Sequence, residues 1–131
     1  MAITLSTAAR NAACDAIVDL LDQGDGNNGS FEFLDGSTPI VIINTQEPAF
    51  GAASNGTAAL AGTPLSGTAT GDSSAPGIDT FNARDQDEET IFSGSCSGSG
   101  GGGDIEFDNA LVLTDQVVNL TSFTLTVPAS A

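Results

Sequence analysis

The hydrophobic pattern of this chain changes period once, and early. From Ser6 to Leu21 apolar residues recur at helical spacing: Ala9, Ala13, Ala16, Ile17 and Leu20 form one stripe, widened by Cys14, Val18 and Leu21. Asp15, Asp19 and Asp22 fall on the other side. Ser6 and Thr7 are natural N-caps, and Ala8-Ala9-Arg10 opens a run of strong helix formers. Gly24 supplies the left-handed C-cap on which many helices end. Beyond Gly24 the helical spacing does not return. Short runs with period two replace it, punctuated by Gly, Asn, Asp and Pro. A chain with one amphipathic helix followed only by strand patterns must lay that helix on a sheet.

The strands are read in turn. Ser30–Leu34 alternates, "DGSTP" turns, and Ile40–Ile43, the most apolar run, is expected to be a central strand completing a hairpin. Residues 48–72 are rich in Ala, Gly, Thr and Ser, with weak strand signal at 57–60 and 65–70. Further strands are expected at 77–83, 90–93, 104–108, 110–114, 117–120 and 122–127, with a charged turn at 84–89. The fold class is therefore mainly β, an antiparallel β-sandwich or small barrel of about seven to nine short strands preceded by one N-terminal α-helix. Residues 1–131 form a single domain: an arm over 1–5, the helix over 6–23, and a β-domain over 30–127 with a flexible Gly-rich loop at 93–103.

That loop, "SGSCSGSGGGG", invites a phosphate-binding reading. It lacks the GxxxxGK[ST] pattern, the chain has no lysine, and Asp104 closes the run with an anion. It is expected instead to be slack between two strands of a hairpin.

Charge narrows the function further. Seventeen acids face two arginines, Arg10 and Arg84, with no lysine and no histidine, for a net charge of −15. Nucleic-acid binding needs clustered Lys and Arg, so no nucleic-acid partner is expected. No stretch reaches the ~20 apolar residues of a membrane span, and the N-terminus lacks a secretory pattern. The acidity suits either a saline setting, in which screening relieves self-repulsion, or a plain solvated surface. Without histidine or lysine there is no Ser-His-Asp triad, Cys-His pair, imidazole metal site or Schiff base. The chain is not expected to be an enzyme or to carry a cofactor.

Three sets of residues remain as chemical candidates. Asp22, Asp25 and Asn27 offer hard oxygen donors to a divalent cation, but the EF-hand spacing fails after its third position, and a helix end leading into a turn explains the same letters. Asp104, Glu106 and Asp108 share one face of a strand; two such acids could act as an acid/base pair, although a solvent face opposite Ile105 and Phe107 explains them equally. Cys14 reads as a buried thiol on the helix and Cys96 as an accessible one in the glycine segment, with a disulfide closing the long loop between them as the alternative. Asn55-Gly56-Thr57 and Asn119-Leu120-Thr121 match the glycosylation pattern and, without a secretory signal, read as coincidence.

The opening "ITLSTAARNAACDAIVDLL" resembles the N-terminus of small virion structural proteins of tailed phages and prophages, in which an LSTxxRN-type helix precedes a β-domain. The blocks "FEFLDGSTP", "EPAFGAASNGTAAL", "GDSSAPGIDTF" and "VVNLTSFTLTVPAS" follow in similar order, so the resemblance touches most of the chain. It departs at Asp79-Thr80-Phe81, where relatives often carry a larger aromatic, and in the expanded glycine run. The resemblance implies a virion structural protein. The expected role is capsid decoration (cement) on the outer capsid surface, bound to the major capsid protein and assembled in the host cytoplasm. A neck or tail subunit is the alternative, and a carbohydrate- or cell-surface-binding β-sandwich the second. The chain is expected to form a homo-oligomer such as a trimer. Contacts are expected from Ile3, Leu5, Arg10, Ile17, Leu20 and Leu21.

Overall fold

The computed structural model describes residues 3–26 and 28–129. It is mainly β, with nine strands in curled sheets behind a single N-terminal helix. Helix α1 runs Thr7–Asp19 and tightens into a 3-10 turn over Leu20–Asp22. Ser6 caps it, its Oγ accepting the Ala9 N–H at 3.1 Å. The far end differs from expectation. Gln23 is extended, its N–H bonds to the Leu20 carbonyl, and Gly24, at φ +119°, lies outside the cap beside Asp87.

Cys14, Val18 and Leu21 are the buried stripe of the helix. The flank assigned to solvent also has a structural task. Asn11, Asp15 and Asp22 accept the backbone N–H groups of Gly56, Ala53 and Ala49 at 2.7, 2.8 and 2.8 Å. The segment 49–56 runs antiparallel to the helix, and its buried donors need partners that no strand provides. The helix supplies them as side chains, spaced four and seven residues apart.

Strands β1 (Ser30–Asp35), β2 (Thr38–Asn44), β5 (Thr80–Arg84), β6 (Thr90–Gly98) and β7 (Ile105–Phe107) form a sheet in the order β2-β1-β5-β6-β7. Two smaller sheets pair β3 (Thr57–Ala59) with β9 (Thr124–Thr126), and β4 (Leu65–Thr68) with β8 (Val117–Leu120). The expected β1–β2 hairpin is present. Its apolar strand β2 lies at the edge of the large sheet rather than at the centre, because β5 takes the inner place beside β1. Residues 110–114 form no strand: Ala110 and Val112 carbonyls accept from Ile78 and Ser73 N–H groups, and the segment runs extended without joining a ladder.

The core is aromatic. All seven phenylalanines join one cluster, with Phe31 at its middle, 5.2 Å from Phe123 and 5.7 Å from Phe81 between ring centroids. Phe107 closes on Phe33 edge-on at 5.3 Å, so the last strand of the sheet is held by a ring from its centre.

The glycine segment is not a hairpin loop. Its first half, through Gly98, belongs to β6, and β7 pairs with β6 in parallel, Cys96 opposite Ile105. Only residues 99–104 connect them, where parallel neighbours usually need a crossover of about a dozen residues. Two glycines show why this is possible. Gly102 sits at φ +84°, and a Cβ on Gly103 would lie 2.8 Å from the backbone of Cys96 and Ser97.

Candidate interaction surfaces

Several of the candidate chemical groups are tied down inside the fold. Asp22 Oδ1 accepts the Ala49 N–H at 2.8 Å, and burial raises its pKa above the ordinary 3.8, with Asp19 and Glu47 adding to the rise. Asp25 is exposed, and its N–H donates to Asp87 Oδ1 at 3.0 Å. Asn27 lies outside the described residues. Among the described residues no three of His, Cys, Asp and Glu are grouped to hold a metal.

Two of the three acids at β7 accept hydrogen bonds in the same manner, and the third, Asp108, is exposed. Asp104 Oδ2 accepts from the Ser95 N–H at 3.0 Å and the Ser95 hydroxyl at 3.2 Å. Glu106 lies among the glycines, its Oε1 accepting the Gly100 N–H at 2.9 Å and its Oε2 the Gly102 N–H at 3.2 Å. The glycine run therefore does cradle an anion, and the anion is the chain's own carboxylate. A groove of about 390 Å³ runs between β7 and residues 119–124, lined by Glu106, Phe107, Asn119, Thr121 and Phe123 among others. These side chains can offer hydrogen bonds and the carboxylate of Glu106.

Both cysteines are free and buried, so the disulfide alternative fails and Cys96 is not the accessible thiol expected. Strand β6 turns Cys96 inward, and burial, with Asp79 and Asp104 nearby, pushes its thiol up to about 12. Burial also raises Cys14, whose Sγ–H donates to the Leu125 carbonyl at 3.4 Å. Neither is a ready nucleophile.

The charged turn reading missed Arg84. It closes β5 rather than starting the turn, is 8% exposed, and pairs with Glu32 at 3.5 Å while Nε donates to Ser30 Oγ at 3.1 Å. Asn82 Nδ2 donates to Glu32 as well, at 3.1 Å. The cross-strand pairs Ser30–Arg84 and Glu32–Asn82 could have been found only by knowing that β1 neighbours β5.

The fold leaves several large apolar side chains exposed, Ile42 on β2 among them. Ile3 is 70% exposed, and Leu5 and Leu20 are partly so. Leu5 N–H bonds to the Ala129 carbonyl, and Arg10 Nε donates to the Val127 carbonyl at 2.8 Å, so arm and guanidinium lie along one C-terminal segment. Ile17 is half-buried. Leu21 is fully buried in the chain's own core and leaves the expected contact set. A second group, which sequence reasoning missed by assigning 110–114 to a strand, comprises Leu111, Leu113 (62% exposed) and Val117 (59%) around the turn from 113 to 116. Its signal was present in the letters, since Leu111 and Leu113 alternate with the buried Ala110 and Val112. No protein-family model, curated protein or solved structure matches the chain.

Proposed function

We propose that the chain is a virion structural protein of a tailed virus, a capsid decoration (cement) subunit that binds the major capsid lattice from outside and associates with its own copies. The observation that carries this reading is the apolar arm: Ile3 and Leu5 stand outside a complete core, on a chain whose thiols are buried and whose Asp104 and Glu106 carboxylates are engaged internally. Isolated exposed apolar residues are ordinary, but two on one acid-free N-terminal stretch favour a contact over chemistry. The resemblance of the opening helix and the later blocks supports the virion assignment. The charge of −15 supports an outward position, since a surface facing packaged DNA would meet like charge.

Quantitative mass spectrometry of purified particles from the source tests this. Between about one third and one copy per major capsid protein is expected for repeated lattice binding. A ratio near one per hundred would move the chain to the neck or tail, and absence from the particle would overturn the reading.

A further inference from the structure

The two uncovered apolar groups differ in charge. The arm belongs to a stretch, residues 1–14, that contains no acid and one cation, Arg10, which has no carboxylate partner among the described residues. The 111–117 face is ringed by acids. Asp115 sits on its turn, Asp108 precedes it, and Asp72 is fastened to it, accepting the Thr114 N–H and hydroxyl at 2.7 and 2.8 Å. The backbone of this face is closed to strand addition, because Leu111 N–H donates to Asn109 Oδ1 at 3.0 Å and Leu113 N–H to Gln116 Oε1 at 3.1 Å. A partner must therefore bind through Leu111, Leu113 and Val117 as side chains.

From this complementarity we propose that copies of the chain associate head to tail, the N-terminal arm of one copy seating on the 111–117 face of the next. A symmetric pairing of two such faces would oppose their carboxylates, and a pairing of two arms would oppose two Arg10 guanidinium groups. Arm on face sets Ile3 and Leu5 against Leu111, Leu113 and Val117, and Arg10 toward the acidic rim. The contact is heterologous, so it builds rings where the rotation closes. The remaining charge opposes assembly at low salt, and screening relieves it.

This deepens the self-association within the decoration reading and rests on it for its setting. Solution assembly and virion abundance are measured on different samples, so either can fail alone. The test is sedimentation velocity of the purified full chain at low salt and at about 1 M NaCl, where the Debye length is about 3 Å. Wild type is expected to associate, more strongly in high salt. Ile3→Ser and Leu113→Ser change exposed side chains at constant charge, and each is expected to weaken association about tenfold or more. Mixed in equal amounts, the two variants are expected to recover as dimers, since one intact arm and one intact face remain. A wild type that stays monomeric under both conditions overturns the proposal. So does either variant associating like wild type, or a mixture no better than its components, the mark of a symmetric interface.

Discussion

Two connections within the large sheet make opposite demands on the chain. Between β1 and β2, Gly36 and Ser37 suffice, and the strands return antiparallel with Asp35 opposite Thr38. Between β6 and β7, residues 99–104 bring the chain back beside itself in parallel. The first is a two-residue turn with one outside fastening, the Gly36 N–H donating to Asp79 Oδ1 at 3.0 Å. The second needs three further fastenings: the Glu106 carboxylate on Gly100 and Gly102, Ser97 Oγ accepting the Gly103 N–H at 3.0 Å, and Asp104 on Ser95. The difference teaches that a glycine-rich stretch is not thereby loose. Here the polar side chains bracketing it impose the order that the glycines lack.

The strands beside these connections carry unequal shares of the core. Phe31, on β1, meets four other rings, whereas Phe107, on β7, meets Phe33 alone. Phe31→Ala is expected to cost about 4–5 kcal/mol and Phe107→Ala about 3 kcal/mol. Urea unfolding followed by far-UV circular dichroism would check both; equal costs would mean that β7 is as central as β1.

Substitution in the connections themselves should separate sterics from backbone strain. Gly103→Ala places a methyl against the backbone of β6 and is expected to cost about 1–3 kcal/mol. Gly36→Ala, at φ +63° with nothing within 4 Å, carries only the left-handed penalty, about 1–2 kcal/mol. A Gly103→Ala variant as stable as wild type, by the same urea midpoints, would show that β7 is free to move off β6.

Much of this architecture was legible. The single change of period located α1, alternation located β1, β7 and β9, an apolar run located β2, and weaker strand signal located β5 and β8, each to within a few residues. Strand direction was not legible. Ile105-Glu106-Phe107 reads the same whether its neighbour is parallel or antiparallel, and glycine permits the tight return without specifying it. The helix clamp was hidden for a related reason. Asp15 and Asp22 look like solvent-facing acids until the N–H groups of 49–53 are known to lie beside them. Of the expected contact residues, the exposure of Ile3 and Leu5 could be read, since they precede a capped helix, but the burial of Leu21 could not be told from the exposure of Leu20 when both lie at the end of the stripe.

Removing the internal anion should loosen the second connection without unfolding the sheet. In Glu106→Ala the amides of Gly100 and Gly102 lose their acceptor, and their hydrogen exchange is expected to accelerate, while that of Phe31 and Phe33 stays unchanged. Exchange at the two glycines that is already unprotected in wild type would contradict the fastening described above.

The smallest effect sets one acid of the helix clamp against one of the apolar face, and here the signs differ. Asp22 is raised above 3.8 mainly by burial, so the folded state binds its proton more tightly than the unfolded state. Its contribution is fully present below 3.8 and is lost as pH rises through the folded value. Asp72 is lowered below 3.8, chiefly by the Thr114 N–H and then by the Thr114 hydroxyl. Its contribution is present above 3.8 and is lost as pH falls through the folded value. Asp22→Asn should therefore remove a fall in stability on the upper side of 3.8, and Asp72→Asn a rise with pH on the lower side. Side-chain carboxyl NMR titrations of wild type, read beside urea midpoints of both variants, would check the pair. If Asp72 titrates above 3.8, the fastening to Thr114 is not formed in solution; if Asp22 titrates below 3.8, its carboxyl is not buried there, because the Ala49 hydrogen bond on its own lowers the value.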